Sequence, residues 1–144
     1  MKPILMTMSL MIAGLIAPGV AFAGEKKNHD GECSAATLYA DYLFTGRADA
    51  PAYAHTAGLP SVFAGVYTFD GEGKMSGVSS QSRGGAIVVR RIIAATYTLD
   101  SECMGTITFS GGEKFDLFIA RDGTEGNFIR IDEGSIATRT IKKQ

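Results

Sequence analysis

The chain has 144 residues, among them 18 glycines, eight phenylalanines, five tyrosines and no tryptophan. Many glycines and aromatic residues with few prolines are typical of strands and tight turns, so length and composition predict one all-β domain. The formal net charge of −1 excludes a basic nucleic-acid footprint or a patch for anionic membranes as whole-protein properties, because both need an excess of positive charge.

The first 23 residues have the pattern of an export signal. Lys2 is followed by an apolar run from Ile4 to Val20, and Ala21-Phe-Ala23 then matches a small-x-small cleavage site. A transmembrane anchor is the alternative, but the run contains Pro18-Gly19 and lacks a basic stop-transfer flank. We therefore expect cleavage after Ala23, a mature net charge of −2, and a soluble protein in a bacterial periplasm or outside the cell. No membrane insertion of the mature chain is expected.

Residues 24–35 form a polar leader, and its Cys33 is one of two cysteines in the chain. In an oxidising compartment an even pair is more often a disulfide than two thiols, so we predict a Cys33–Cys103 bridge. A metal site using His29, Asp30, Glu32 and Cys33 is the rival interpretation, but no second ligand cluster has a recognisable spacing. No metal or cofactor is predicted.

The barrel domain is predicted over residues 36–144. Ala36 to Thr45 suits a first strand, with a short helix over its Ala-rich start as the alternative, and Arg47 to Leu59 suits a long loop. Seven further strands follow, separated by turns rich in Gly and Asp: Ser61–Phe69, Lys74–Gln81, Ala86–Leu99, Cys103–Ser110, Glu113–Arg121, Gly126–Asp132 and Ser135–Lys142.

Short links allow only antiparallel neighbours, so the strands form a meander. Eight twisted strands either split into a sandwich or close on themselves, and closure also removes exposed edges. We therefore predict a single eight-stranded antiparallel barrel. Period-two alternation places large apolar residues on its inner face, where they fill the interior or line an apolar pocket; these candidate ligand-binding residues are Phe63, Tyr67, Phe69, Tyr97, Ile107 and Phe109.

In the strand Ala86–Leu99, alternation places Ile87, Val89 and Ile93 on one face, interrupted by Arg91. Adjacent Arg90 and Arg91 must point to opposite faces, so one of them enters the barrel or lies under a covering element. An arginine inside needs a carboxylate or an acidic ligand group. The arginines considered are Arg90, Arg91, Arg121, Arg130 and Arg139, with Asp116 and Asp132 as candidate partners.

Other polar motifs lack a specific chemical signature. Asp70-Gly-Glu-Gly-Lys74 has the carboxylate spacing of part of a calcium loop, but the remaining acidic positions are missing, which favours a hairpin turn. Gly84-Gly85 and Gly111-Gly112 are not followed by the Lys-Ser/Thr of a phosphate loop. His55 lies in the predicted long loop, and the sequence contains no serine nucleophile elbow with which it could form a catalytic triad.

Three segments resemble a known family: Phe63 to Lys74, Ala95 to Phe109 and Asn127 to Gln144. They are similar to small exported bacterial proteins of unassigned function, related in fold to the allene oxide cyclase-like, calycin-type barrels; the Cys-Met-Gly-Thr element at 103–106 is the most specific part. The resemblance implies the barrel fold. Allene oxide cyclase-type enzymes act on fatty-acid epoxides, but none of their active-site residues aligns with this sequence.

Three functions are compatible with these observations. The leading hypothesis is a periplasmic binding module for a small apolar or amphipathic ligand. The second is an isomerase or cyclase on the same barrel, and the third is a structural or interaction protein with a filled core. Ligand burial requires a cavity and catalysis requires a polar pair fixed within it, so the shape and polarity of the interior separate the three hypotheses.

Overall fold

The computed structural model describes residues 31–49, 59–134 and 136–144. The predicted export signal, most of the polar leader, and the central part of the predicted long loop, including His55, lie outside these described residues. Within them, no helix is long and apolar enough to cross a membrane.

The described residues form one closed, eight-stranded antiparallel barrel, which confirms the predicted architecture. Each strand pairs with the next along the chain, and the last pairs with the first. A 3₁₀ helix, Ala35–Leu38, precedes the strands, so the short-helix alternative holds for the start of the first predicted strand. The strands are β1 (Tyr39–Asp49), β2 (Pro60–Asp70), β3 (Lys74–Arg83), β4 (Ala86–Leu99), β5 (Met104–Phe109), β6 (Lys114–Ile119), β7 (Glu125–Arg130) and β8 (Ile136–Lys143).

The hydrophobic core lies inside the barrel because alternate residues of every strand point inward. Its largest fully buried side chains are Tyr42, Tyr67, Phe69, Phe115, Phe128, Leu38, Ile107 and Leu117. Glycines permit close approaches in the barrel wall, and the tightest to a backbone atom are at Gly65 and Gly105. A Cβ at Gly65 would collide with the Val78 carbonyl oxygen and lie 2.8 Å from the Phe44 ring, and one at Gly105 would collide with the Thr98 carbonyl oxygen. A side chain at either position would therefore displace the neighbouring strand.

Aspartates shape the turns at one end of the barrel. The Asp70 carboxylate accepts hydrogen bonds from the backbone N–H groups of Glu72 and Lys74, at 2.8 and 2.9 Å. The Asp100 carboxylate does the same for the amides two and four positions further on. These bonds explain the carboxylate spacing that resembles part of a calcium loop, because the Asp70 oxygen is engaged by the turn itself.

The same end is closed by the 3₁₀ helix. Leu38 is completely buried there, and the Tyr97 hydroxyl donates a hydrogen bond of 2.9 Å to the carbonyl oxygen of Ala35. A disulfide between Cys33 and Cys103, with a Cα–Cα distance of 5.0 Å, ties the segment before the helix to the turn that enters β5. The predicted disulfide is thus confirmed, and it fastens the element that closes this end.

The barrel walls are unequal in height. β1 to β4 contain 10 to 14 residues each, whereas β5, β6 and β7 contain six each. The upper part of β4 therefore extends past the end of β5. We call the barrel end away from the 3₁₀ helix the open end.

The predicted face of β4 is wrong for its first half. The register with β3 shifts between Ser79 and Gln81, and Arg90 adopts a positive φ of 52°, which marks a β-bulge. An extra residue in one strand exchanges the two faces beyond it. Ile87 and Val89 consequently lie on the outer face, where they are 72% and 67% exposed.

Candidate functional site

A cavity of about 190 Å³ occupies the open end of the barrel. All eight strands contribute side chains or backbone to its wall, because each alternates inward-facing residues up to the rim. Aromatic rings line it together with polar and charged side chains. The residues are Phe44, Ala48, Ser61, Phe63, Tyr67, Ser79, Gln81, Arg83, Arg91, Ile93, Phe109, Ser110, Gly111, Glu113, Phe115, Arg130, Ala137 and Arg139.

Arg139, on β8, is the central polar group of this cavity. Its guanidinium carbon lies 4.0 Å from the ring centroid of Phe109, 4.5 Å from that of Phe115 and 4.9 Å from that of Phe63. Each ring is close enough for a cation–π contact, which offsets part of the cost of removing the charge from water. We call this arrangement the Arg139 box.

Tyr67 forms the floor beneath the Arg139 box. Its hydroxyl oxygen accepts a hydrogen bond from Nη1 of Arg139. Its ring is stacked on Phe44 with a centroid distance of 3.8 Å, and lies parallel to that of Phe128 at 6.4 Å. Burial raises the pKa of Tyr67 to about 12, although Arg139 acts in the opposite direction. The phenol is therefore neutral at physiological pH and holds one edge of the guanidinium in place.

Within residues 31–49, 59–134 and 136–144, no carboxylate lies beside the positive charge of Arg139. Among the described residues, no Asp or Glu oxygen lies within 4.0 Å of this guanidinium, and its buried Nε has no hydrogen-bond acceptor. A guanidinium has five N–H donors, so the Arg139 box holds a cation with unused hydrogen-bonding capacity.

Arg130, also in the cavity wall, is compensated. Its guanidinium forms an ion pair with Asp132, donating from both Nε and Nη2 to one carboxylate oxygen. The hydrogen bond from Arg130 lowers the pKa of Asp132. Asp132, one of the two carboxylates predicted as partners of an inward arginine, thus pairs with Arg130. The other, Asp116, does not line the cavity. Glu113 is the acidic side chain among the described residues that do.

The six candidate ligand-binding residues fall into two groups. Phe63, Tyr67 and Phe109 line the cavity. The other three, Phe69, Tyr97 and Ile107, are buried in the core and do not line it. Phe69 and Tyr97 pack edge to face at 5.2 Å near the closed end. The structure therefore brings half of the set to the cavity, and the ligand-binding role of that half stays a prediction.

Phe44 and Phe115 also line the cavity but were not among the predicted residues, and the sequence does not distinguish Arg139 from the other arginines. The β8 sequence Ile-Ala-Thr-Arg-Thr-Ile alternates weakly, since Ile136 lies on one face and Ile141 on the other. Partial signals existed: Arg139 is two residues from both Ala137 and Ile141, which are buried. Choosing that face required the register with β1 and β7, which sequence alone does not supply.

In the part of the chain that the structure describes, no group of three or more His, Cys, Asp or Glu residues is placed to hold a metal ion. His29 and Asp30 of the rival metal hypothesis lie outside these residues. Cys33 is in the disulfide.

Comparison with known proteins gives structural neighbours only. No family model and no curated protein matches the chain. Among solved structures, it is similar to a redesigned β-barrel, mFAP0, bound to DFHBI, with 14% identity over 74% of this chain and 99% of that chain, at a TM-score of 0.43. It is also similar to a de novo designed fluorescence-activating β-barrel, with 10% identity over 76% of this chain and 96% of that chain, at a TM-score of 0.44.

Proposed function

We propose that this protein is a binding module that takes a small amphipathic ligand, composed of a flat apolar body and an acidic group, into the open end of its barrel. The observation that carries the proposal is the Arg139 box: a cation in a cavity, enclosed by aromatic rings, with a buried N–H that lacks an acceptor. A carboxylate or similar anion supplies the missing acceptor.

The energetic argument is that a partly buried charge is costly unless it is paired. The hydroxyl of Tyr67 and the three rings offset the positive charge of Arg139 through a dipole and through ring quadrupoles, and none of these groups carries a negative charge. An incoming anion adds a charge-assisted hydrogen bond, which is about twice as strong as a neutral one, and arginine can bind a carboxylate through two parallel N–H donors. The site is therefore electrostatically incomplete without an anion.

The cavity size restricts the ligand to a small molecule. An engineered apolar cavity of about 150 Å³ holds benzene, so about 190 Å³ suits a single-ring acid. The lining also carries Arg91, which is exposed, against Glu113. An excess of positive charge around a concave site raises the local concentration of anions and their association rate.

Export completes the proposed function. The predicted cleavage after Ala23 and the Cys33–Cys103 disulfide support a protein that works in the periplasm or outside the cell. Intact-mass measurement of protein recovered from the periplasm should give a chain that begins at Gly24 with no free thiols. Retention of residues 1–23 would contradict this part of the proposal.

Calorimetric titration with salicylate and with salicylamide tests the ligand chemistry, because the two molecules have nearly the same shape and differ in charge. We expect the wild-type protein to bind salicylate and to bind salicylamide at least tenfold more weakly. Arg139→Gln should weaken salicylate binding by about 10- to 100-fold, as expected for one hydrogen bond to a charged group. Arg121→Gln, which changes an exposed arginine outside the cavity wall, is the matched control and should leave binding unchanged.

Equal binding of the neutral amide, or unchanged affinity in Arg139→Gln with an intact circular dichroism spectrum, would contradict the proposal. Saturable binding to neither molecule would favour the filled-core alternative. The isomerase or cyclase alternative stays a prediction, and conversion of a bound substrate is the measurement that would support it.

A further inference from the structure

The upper half of β4 has an open edge. β5 pairs with β4 only from Ala95 to Leu99, and the last backbone bond on that side runs from the N–H of Ser110 to the carbonyl oxygen of Ala94. Among the described residues, the segment Ala86–Ile93 pairs with β3 alone. We call this segment the β4 arm. Its unpaired edge presents N–H and C=O groups on which a further strand can form.

The β4 arm also exposes large apolar side chains. Ile87, Val88, Val89 and Ile92 are all exposed, and Ile92 is exposed to 74%. Soluble proteins rarely present such clusters without a partner, because each one keeps apolar surface in contact with water.

An apolar row on the outer wall leads to this edge. The strand registers place Leu43 beside Val66, Val66 beside Val78 and Val78 beside Ile92, across β1, β2, β3 and β4. Side chains that are directly opposite on neighbouring strands pack against one another. The row ends at Ile92, where among the described residues no fifth strand follows.

Two arginines give the β4 arm a positive charge. Arg90 and Arg91 are exposed, and among the described residues neither has a carboxylate within 4.0 Å. The charge of the β4 arm is therefore complementary to an acidic partner.

We propose that the β4 arm is an interaction surface that accepts an extended acidic segment of a partner protein as an added strand. Such a strand binds through backbone hydrogen bonds, and alternate side chains give specificity. Apolar residues on its outer face extend the row past Ile92, and carboxylates on its other face meet Arg91. This surface adjoins the cavity proposed to bind the ligand, because Arg91 contributes to both.

A second copy of the chain is a poor occupant of the same edge. Antiparallel pairing of two β4 arms places Arg90 and Arg91 of one copy directly or diagonally opposite the same residues of the other copy. Like charges at such positions repel each other. The bulge at Arg90 adds a further obstacle to a flat, continuous pairing. An acidic strand is attracted by the same arginines that oppose self-association.

A lipid bilayer is also a poor occupant. Insertion of the β4 arm would move its unpaired backbone groups into hydrocarbon, where no water can satisfy them. Strand addition instead pairs those groups and covers the apolar side chains in one step.

Fluorescence polarisation with a labelled peptide of alternating Glu and Val, as long as the β4 arm, tests the proposal. We expect it to bind at least tenfold more tightly than a Lys and Val peptide, and N-methylation of alternate backbone amides should abolish binding. Ile92→Ser should weaken binding about tenfold, the effect of one buried apolar side chain. Ile136→Ser is the matched control, since Ile136 is also 74% exposed, and should have no effect.

Arg90→Glu should weaken binding of the Glu and Val peptide and strengthen that of the Lys and Val peptide, while salicylate titration of the same variant should match the wild type. Equal binding of the two wild-type peptides, or equal losses in Ile92→Ser and Ile136→Ser, would overturn the proposal. So would a concentration-dependent dimer in sedimentation equilibrium that Ile92→Ser abolishes, which would assign the arm to a second copy. Co-sedimentation with phosphatidylglycerol vesicles that depends on Ile92 would assign it to a membrane.

Discussion

Removal of the Cys33–Cys103 bridge should destabilise the barrel strongly without changing its strand content. The bridge joins residues that are 70 positions apart. A cross-link of that span removes conformational freedom from the unfolded chain, and the chain-entropy relation assigns about 4 kcal/mol to it at 25 °C. Both cysteines are buried, so replacing them with alanine also removes packed sulfur atoms, at a cost of about 1 kcal/mol.

Urea unfolding monitored by circular dichroism measures this loss. Three variants are compared with the oxidised wild-type protein: Cys33→Ala, Cys103→Ala and the double variant, all under reducing conditions. Their free energies of unfolding should be lower than that of the oxidised wild type by similar amounts, because each change removes the same cross-link. For a domain of this size, a loss of about 4 kcal/mol corresponds to a decrease of about 15 °C in the thermal midpoint. The strand signal should persist, since domains typically have 5 to 15 kcal/mol of stability.

Two results would refute this reasoning. If the losses in the two single variants added up in the double variant, packing of the separate sulfur atoms and not the cross-link would be the cause. If the reduced wild-type protein unfolded at the same urea concentration as the oxidised protein, the bridge would contribute nothing to stability.

Three further predictions concern the stability of the fold: the effect of a side chain at Gly65, the effect of low pH and the effect of high pH. Gly65→Ala should cost about 3 kcal/mol of unfolding free energy or prevent folding, because its Cβ would collide with backbone, whereas Gly31→Ala, with no atom within 4 Å, should match the wild type in urea. Arg130 lowers the pKa of Asp132, so the pair stabilises the fold above an unfolded carboxyl pKa of about 3.9 and loses this effect as pH falls through the lower folded value. Asp132→Asn should therefore have a lower urea midpoint at pH 7 and approach the wild type near pH 2; a constant difference would contradict this. Burial raises the pKa of Tyr67 from 10.0 to about 12, so its neutral phenol stabilises the fold below pH 10 and this contribution is lost as pH rises through 12. Tyr67→Phe should lose less stability over that interval, and an unchanged alkaline transition would argue against the burial of this phenol.

The strand pattern was predictable because it depends on local features. Alternation from Phe63 to Phe69, and the turns at Asp70 and Asp100, place β2 to β5 within a few residues of their observed bounds. The disulfide was predictable because the chain has only two cysteines. These inferences need no knowledge of which strands are opposite one another.

The candidate site was less predictable because it depends on register. The bulge at Arg90 exchanges the faces of β4 before it, so alternation alone assigned Ile87 and Val89 to the wrong side. Arg139 is recognised as the cavity cation only once β8 is placed beside β1 and β7. Tyr97 and Tyr67 both lie on the inward face of an alternating strand, so the sequence does not distinguish them. Tyr97 does not line the cavity because it lies near the 3₁₀ helix, at the other end of the barrel.

The seam between β1 and β8 has a consequence for how the molecule assembles. It pairs Tyr42 with Lys143 and Asp49 with Ile136, the two extremes of the folded domain. Contacts between such distant residues form slowly, because a long loop must close before any bond across it is gained. During synthesis, β1 and the most recently added strand therefore keep unpaired edges until β8 has formed. Addition of β8 therefore closes the barrel. A chain that lacks β8 keeps unpaired strand edges, which promote aggregation.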